Sequence, residues 1–327
     1  MKILLTGADG FLGSNITREL LAQGYQVRVL LIPEHITLTL EGLDIERFEG
    51  NLLNPEDVRK AATGCDGVIH AAASTSVWPP RNPLVNKVNM EGTENVIKAV
   101  LELGIPRLVY VSTASSFGFG TKEKPGDETC PYRSAKYGLD YVDSKFQAQQ
   151  MVLEAVKKDK LPAVIVNPCF MFGPYDSKPS SGAMIVAVCK GKVPGYSHGG
   201  RNYIYVKDVA CGVVNALKKG RLGECYILGN ANLTYAEIFK LIADTTGTKV
   251  PPIHIPSGII KGYGLFNTLA AKTSGKAPTL SYNLALIACD EHYYSPAKAI
   301  KELDLPQTPI EVAVKEAFEW LKTHKYI

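Results

Sequence analysis

Long apolar runs are missing from these 327 residues. The longest candidates, such as GAMIVAVC at 182–189, fall well short of the ~20 residues that span a bilayer. No membrane partner is therefore expected. The opening MKILLTG has one Lys and a short apolar run before its glycine, too little for a secretory leader. The expectation is a cytoplasmic protein. Cysteine is scattered and odd in number, at 7, and no Cys-x-x-Cys occurs, which argues against a disulfide framework and a zinc ribbon. The 6 histidines include no His-x-x-x-His pair, so no metal site is expected. Lys and Arg number 36 against 32 acidic residues, a formal net charge of only +4 with no run of five like charges. Nucleic acid is not an expected partner. Internal repeats and low-complexity tracts are absent, which excludes a solenoid.

What is present is alternation. KILLTG (2–7), QVRVLLI (26–32), IERFEG (45–50), GVIHAA (67–72), RLVYVST (107–113) and PAVIVNP (162–168) read as strands. Helical patterns separate most of them: Phe11 to about Gln23, PEDVRKAA (55–62), NMEGTENVIKAVLELG (89–104) and about Asp140 to Lys158. Strands this apolar are buried on both faces, so the fold class is α/β, a doubly wound parallel sheet or Rossmann fold. After Phe172 the rhythm loosens into GPYDSKPSSG, and beyond Asn230 helices dominate. YIYV (203–206) and CYILG (225–229) look like strands that return to the main sheet. The expected organisation is a dinucleotide-binding domain over 1–172, rejoined by 200–230. A smaller, discontinuous substrate-binding domain takes 173–199 and 231–327.

LLTGADGFLGSN places Gly7, Gly10 and Gly13 between the first strand and the first helix. Glycines at a strand–helix turn let a pyrophosphate approach the backbone and sit at the helix N-terminus. The alternative is a purely structural turn, but the context is the one a dinucleotide needs.

Tyr-x-x-x-Lys occurs four times: Tyr132–Lys136, Tyr141–Lys145, Tyr203–Lys207 and Tyr294–Lys298. With 16 tyrosines, one or two copies arise by chance. The chemistry discriminates better. A phenol with a pKa near 10 exchanges protons at neutral pH only if something favours its anion. A Lys one helical turn away does so, provided both residues share a firm helix face. Tyr132 follows Pro131 and is cut off by Gly138. Tyr203 lies in an apparent strand, where positions four apart are over ~13 Å distant. Tyr294 precedes Ser295-Pro296, a helix start. Only Tyr141–Lys145 opens a long helical pattern, carried by Val142, Phe146, Leu153 and Val156 with Gln149 as its polar exception.

These features together resemble the extended short-chain dehydrogenase/reductases, the NAD-dependent epimerase/dehydratase family. TGADGFLG, GNLLNPEDV (50–58), VIHAAA (68–73), VNMEGTENV (88–96), VYVSTASSFG (109–118), Tyr141-x-x-x-Lys145, NPCFMFGP (167–174) and RNYIYVKDVA (201–210) follow in the family's order. The tail, above all LPQTPIEVAVKEAFEWL (305–321), is similar to dihydroflavonol-4-reductase-like proteins and the hopanoid-associated sugar epimerase. The resemblance implies a nicotinamide dinucleotide. Gly7, Gly10, Phe11, Leu12 and Gly13 would meet its phosphates, and Asn51 and Leu52 its adenine. Ala71, Ala72 and Ala73 would line the ribose, with Tyr141, Lys145 and Pro168 toward the nicotinamide. The family usually has Asp where Asn51 stands. Thr113 matches the family's catalytic hydroxyl position, with Ser112 and Ser115 as alternatives. The family often dimerises through the helix bearing Tyr141 and the one before it, so a homodimer is expected.

LLIP at 30–33 offers neither the acidic residue near Leu31 that binds the NAD ribose nor an Arg near Ile32 for the NADP phosphate. Losing the acid removes the repulsion of phosphate, so NADP is favoured, with NAD as the alternative. Arg28 is expected to point off its strand. Dehydratases of the family carry Asp-Glu after the catalytic Thr; here Ala114-Ser115 follows Thr113. Arg201 matches one of the two arginines that hold a sugar-nucleotide diphosphate, and the second has no counterpart. VWPP (77–80), CFMF (169–172) and YGLF (263–266) are apolar candidates for pocket or core. The sequence therefore reads as an NAD(P)-dependent reductase or dehydrogenase acting on a small, largely apolar ketone or its alcohol. The alternatives are a nucleotide-sugar epimerase with a tightly bound cofactor and a cofactor-binding sensor without catalysis. GYSHG (195–199) matches the Gly-x-Ser-x-Gly hydrolase elbow but lacks the required strand–turn–helix context. His70 is expected to pack or hydrogen-bond.

Overall fold

The computed structural model describes residues 1–33 and 38–327. Seven strands build the main sheet. They are β1 (Lys2–Thr6), β2 (Gln26–Leu31), β3 (Glu46–Glu49), β4 (Gly67–His70), β5 (Leu108–Val111), β6 (Ala163–Pro168) and, after three strands placed elsewhere, β10 (Cys225–Leu228). Between them run α1 (Phe11–Ala22), α2 (Pro55–Ala62), α3 (Pro83–Glu102) and α4 (Asp140–Asp159). The spatial order is β10-β6-β5-β4-β1-β2-β3, and every pairing is parallel. The chain winds outward from β1 in one direction and from β4 in the other. That makes the β1–β4 boundary the topological switch point, where such sheets bind ligands.

Parallel strands need both faces covered. Alternate strand residues supply the two interfaces. Ile3, Leu5, Val29, Ile69, Val109 and Val164 enter one core with Ile16 and Leu20 of α1. Leu4, Leu30, Val68, Leu108 and Ile165 enter the other with Val58 of α2, Val96 and Val100 of α3, and Val152 of α4. Each such side chain contributes about 1.5–3 kcal/mol on full burial.

The remaining elements complete the α1 face of the main sheet and build a second sheet with its own helices. They are β7 (Phe170–Phe172), α5 (Gly182–Cys189), β8 (Gly195–Tyr196), β9 (Gly200–Tyr205), α6 (Val206–Lys219), β11 (Ala231–Thr234), α7 (Tyr235–Thr246), β12 (Ile253–His254), α8 (Ser257–Ser274), α9 (Tyr282–Ala288), β13 (Glu291–His292), α10 (Ala297–Leu303) and α11 (Ile310–Thr323). CYILG returns to the main sheet as β10, but YIYV does not. Tyr203–Tyr205 belong to β9, the centre of a second sheet with β7, β11 and β13, and Val206 already opens α6. The reason is packing: Tyr203 and Tyr205 join Phe172, Ile238 and Val314 in a separate aromatic core. Within 200–230, β10 joins the main sheet, while α6 adds Val209, Val213 and Leu217 to the core on the α1 side.

Candidate active site

The register brings the C-terminal strand ends into one row. Thr6 pairs with His70, His70 with Tyr110, Val111 with Val166, and Pro168 with Leu228. Gly7, the Ala71–Ala73 segment, Thr113 and Pro168 therefore leave the sheet along one edge. Gly7 has φ +72°, and a Cβ there would lie 2.7 Å from the Ala72 backbone. A side chain on Gly13 would collide with the Gly7 carbonyl. The turn thus closes on itself and against the end of β4 through bare backbone. Gly10 N-caps α1 with no side-chain cap, and the first turn has no acidic residue. Its orphan N–H groups and the helix dipole are left for an anion. These are the features a pyrophosphate requires, so the residues present fit a dinucleotide. Phe11 and Leu12 are part-buried beside this turn.

Asn51 is exposed and its Oδ1 accepts from Leu53 N at 2.9 Å, while its NH₂ has no partner among the described residues. Leu52 lies against Gly92 of α3, where a Cβ would come within 2.6 Å of it. Arg28 is spent on structure. Its Nε donates to Glu46 at 2.8 Å and its Nη1 to the carbonyls of Ala61 and Thr63, each at 2.7 Å. It is not available for a 2′-phosphate, as its place on the strand predicts. Ile32, just past β2, is exposed.

On the other side of the switch point, α4 brings Tyr141 and Lys145 to the end of β5. Lys145 is the one lysine buried among the described residues. Its Nζ donates to the carbonyl of Val111 at 2.7 Å, two residues before Thr113. Burial without a carboxylate partner lowers its pKa to about 7. Tyr141 is part-exposed, yet burial also raises its phenol above the ordinary value. Both members of the pair are thus pushed toward their neutral forms. Thr113 is part-exposed and its Oγ1 accepts from Ser115 N at 3.3 Å. Ser112 is turned inward and bonds Ser116 in the interior at 3.2 Å, whereas Ser115, like Thr113, is part-exposed.

Two residues given no functional role by the motifs hold this arrangement. Asn167, in β6, donates through Nδ2 to the Thr113 carbonyl at 2.9 Å and to Gln149 Oε1 at 2.7 Å. Gln149 is the polar exception in the apolar stripe of α4, and this bond is its physical reason. A third polar residue, Asn89 of α3, donates to Ser144 of α4 at 2.9 Å and accepts from Ser74 N at 2.8 Å. It clamps the segment after Ala73 against the helix that carries Tyr141. The available signal was the same in each case: a polar residue inside an apolar pattern. His70 lies in the interior between Thr6 Oγ1 (2.7 Å) and Thr93 Oγ1 (3.2 Å). Burial, with the Lys145 charge second, lowers its pKa to about 3, so it is neutral and structural.

The other Tyr–Lys pairs are occupied elsewhere. Tyr132 donates to Asp143 at 2.6 Å and stacks on Phe146, while Lys136 pairs with Asp290. Tyr203 is buried in β9, and Lys207, already in α6, pairs with Glu316. Lys298 pairs with Glu224. In GYSHG, Ser197 donates to the Ala288 carbonyl and is followed by a strand, so no nucleophile elbow forms.

Tyr141 packs against a small apolar cluster of Tyr137, Leu139, Val142 and Ile287, which Val77, Phe119, Leu284 and Leu286 also border. Of the candidate stretches, VWPP joins this cluster through Val77. Phe172 is core and Phe170 stands under the Arg201 guanidinium at 5.0 Å. In YGLF, by contrast, Tyr263, Leu265 and Phe266 are exposed. Arg201 Nε donates to Tyr235 Oη at 2.9 Å, and among the described residues no carboxylate forms an ion pair with it.

A seven-stranded doubly wound sheet with a glycine turn at its switch point and a Tyr–Lys helix beside it defines a dinucleotide-binding α/β protein of the oxidoreductase type. The family model described as "NAD dependent epimerase/dehydratase family" matches residues 3–229, and the chain belongs to that family, within the extended short-chain dehydrogenase/reductases. It is 32% identical to the "Putative dihydroflavonol 4-reductase" of Synechocystis sp., over 99% of this chain and 95% of that protein. It is 27% identical to "Sterol demethylase protein B" of Methylococcus capsulatus, over 98% of each. The crystal structure of gox2253 superposes with a TM-score of 0.88 at 32% identity, covering 99% of both chains.

Proposed function

We propose that this protein is an NADP-dependent ketone reductase, reversible as an alcohol dehydrogenase, for a small and largely apolar substrate. The carrying observation is the buried Lys145, bonded to the end of β5 one helical turn from Tyr141 and two residues from Thr113. A bound nicotinamide would supply or accept the hydride. The chain's own residues do the rest. Thr113 Oγ1 holds the substrate oxygen, Tyr141 donates its phenolic proton to it, and Lys145 supplies the positive charge that steadies the phenolate left behind. Gly7, Gly10 and Gly13 would hold the phosphates with Phe11 and Leu12, Asn51 and Leu52 the adenine, and Ala71, Ala72 and Ala73 the ribose. The Synechocystis relative's name supports a carbonyl reduction, and the sterol-named relative supports an apolar substrate. The absence of an acid at Leu31–Pro33 favours NADP over NAD.

The Arg201 guanidinium favours a second reading, a nucleotide-sugar epimerase in which it holds a phosphate. Nicotinamide absorbance with a panel of aryl and alicyclic ketones separates the two. Steady consumption of NADPH, faster than of NADH, is expected; turnover of a UDP-sugar with no net absorbance change would replace the reductase reading. A homodimer belongs to the same proposal. The groove between α3 and α4, about 360 Å³, is lined in part by Ile97, Leu101, Met151 and Ala155. A monomer mass in sedimentation equilibrium would remove that part.

A further inference from the structure

Helix α8 turns its large side chains outward. Of its 18 residues only Gly264 and Ala271 are buried. Ile259, Tyr263, Leu265, Phe266 and Leu269 are exposed, Phe266 at 69%. At about 100° per residue these five occupy an arc of roughly 160° opposite Gly264 and Ala271, with Lys261 and Lys272 at one border. The small residues explain the inner face: Gly264 meets α9 so closely that a Cβ would lie 2.7 Å from that of Ala285. Ile253 and Val250, in the segment that precedes α8, are exposed as well. An exposed apolar face bordered on one side by cations is a candidate docking surface.

Charge selects what docks. Between Asp244 and Asp290 the chain has no acidic residue but carries Lys249, Lys261, Lys272 and Lys276. The two flanking acids are already paired, Asp244 with Lys240 and Asp290 with Lys136. A second copy of this chain would bring the same acid-free face against itself by two-fold symmetry, so its lysines would meet no carboxylate there. An anionic bilayer surface satisfies both halves of the pattern. The apolar arc enters the acyl boundary, and the lysines extend to the phosphates.

We propose that α8 docks the protein peripherally onto anionic phospholipid surfaces, its apolar arc inserted and its lysines on the headgroups. No helix of the described residues is long and apolar enough to cross a membrane. Docking adds a surface contact, which the expectation of no membrane partner left out. Helix α9 links this face to the candidate site: Asn283 donates to the Tyr137 carbonyl at 2.7 Å, and Leu284 and Leu286 pack in the Tyr141 cluster. The surface stands independently of the reductase reading.

Co-sedimentation of the full chain with vesicles tests it. Vesicles of equimolar phosphatidylglycerol and phosphatidylcholine are expected to retain the protein at least about tenfold better than phosphatidylcholine alone, at near-physiological salt. Ile259→Ser with Phe266→Ser should lower that retention about tenfold with the thermal midpoint preserved. Lys261→Glu with Lys272→Glu should abolish the preference for anionic lipid. A single Phe266→Trp keeps the bulk and should show a blue shift in its difference emission on anionic vesicles. Absent retention, equal retention on both vesicles, or an unshifted difference emission in Phe266→Trp overturns the proposal. So does a dimer that the Ile259→Ser/Phe266→Ser pair dissociates, which would assign the face to a second copy.

Discussion

Tyr141→Phe is expected to lower kcat for ketone reduction by about 10²–10⁴-fold, the usual worth of a positioned general acid. Dinucleotide affinity, read by nicotinamide fluorescence, should stay within about threefold of wild type. The variant deletes one oxygen and leaves the ring that packs against the Tyr137, Leu139, Val142 and Ile287 cluster. Fold and cofactor cradle are untouched, so the loss falls on kcat. Burial raises the Tyr141 phenol above its ordinary value, so it is protonated throughout the neutral range. That is the state a reductase needs at the start of turnover. Retained turnover in Tyr141→Phe would dismiss the assignment outright.

Tyr132→Phe is the matched control, because both tyrosines begin the same pattern. Tyr132 loses a bond to Asp143, which also pairs with Arg81. The expected cost is about 1 kcal/mol of stability with kcat unchanged. If the two variants exchanged these phenotypes, Tyr132 would be the acid.

The alternation of apolar strands with helical patterns was enough to read the main sheet, because parallel strands buried on both faces leave an unbroken apolar signature. The second sheet was harder. YIYV looks identical to a core strand, and its destination depends on aromatic and aliphatic partners at Phe172, Ile238 and Val314, which are distant in the chain. The candidate site was legible where chemistry demands a residue type at a fixed spacing, as in the glycine turn and the Tyr–Lys step. Its supporting residues were not. Asn167 and Gln149 are 18 positions apart and meet only because β6 and α4 pack together. A polar residue interrupting an apolar stripe is the one trace such pairs leave. The outward face of α8 was similarly hidden, since YGLF reads as pocket or core until the burial of Gly264 and Ala271 shows which side is in.

Lys145→Met should separate charge from packing. The thioether replaces the buried methylene stem and removes only the ammonium and its bond to the Val111 carbonyl. Burial lowers the Lys145 pKa from 10.5 to about 7, so the charged form is lost as pH rises through about 7. The proposed role needs the charged form. Because kcat/KM reports the free enzyme, the wild-type value should fall about tenfold per pH unit above that point. Lys145→Met should be about 10²-fold slower at pH 6 and should lack this limb. Stability moves the opposite way. Between about 7 and the unfolded value the unfolded chain holds the extra proton, so wild-type stability rises with pH, by up to about 1.4 kcal/mol per unit. The variant has no such slope and should match or exceed wild type in the acid range, where the native protein carries an uncompensated buried charge. A merely structural lysine would give the stability slope without the kinetic limb. A limb that persists in Lys145→Met would assign the titration to another group.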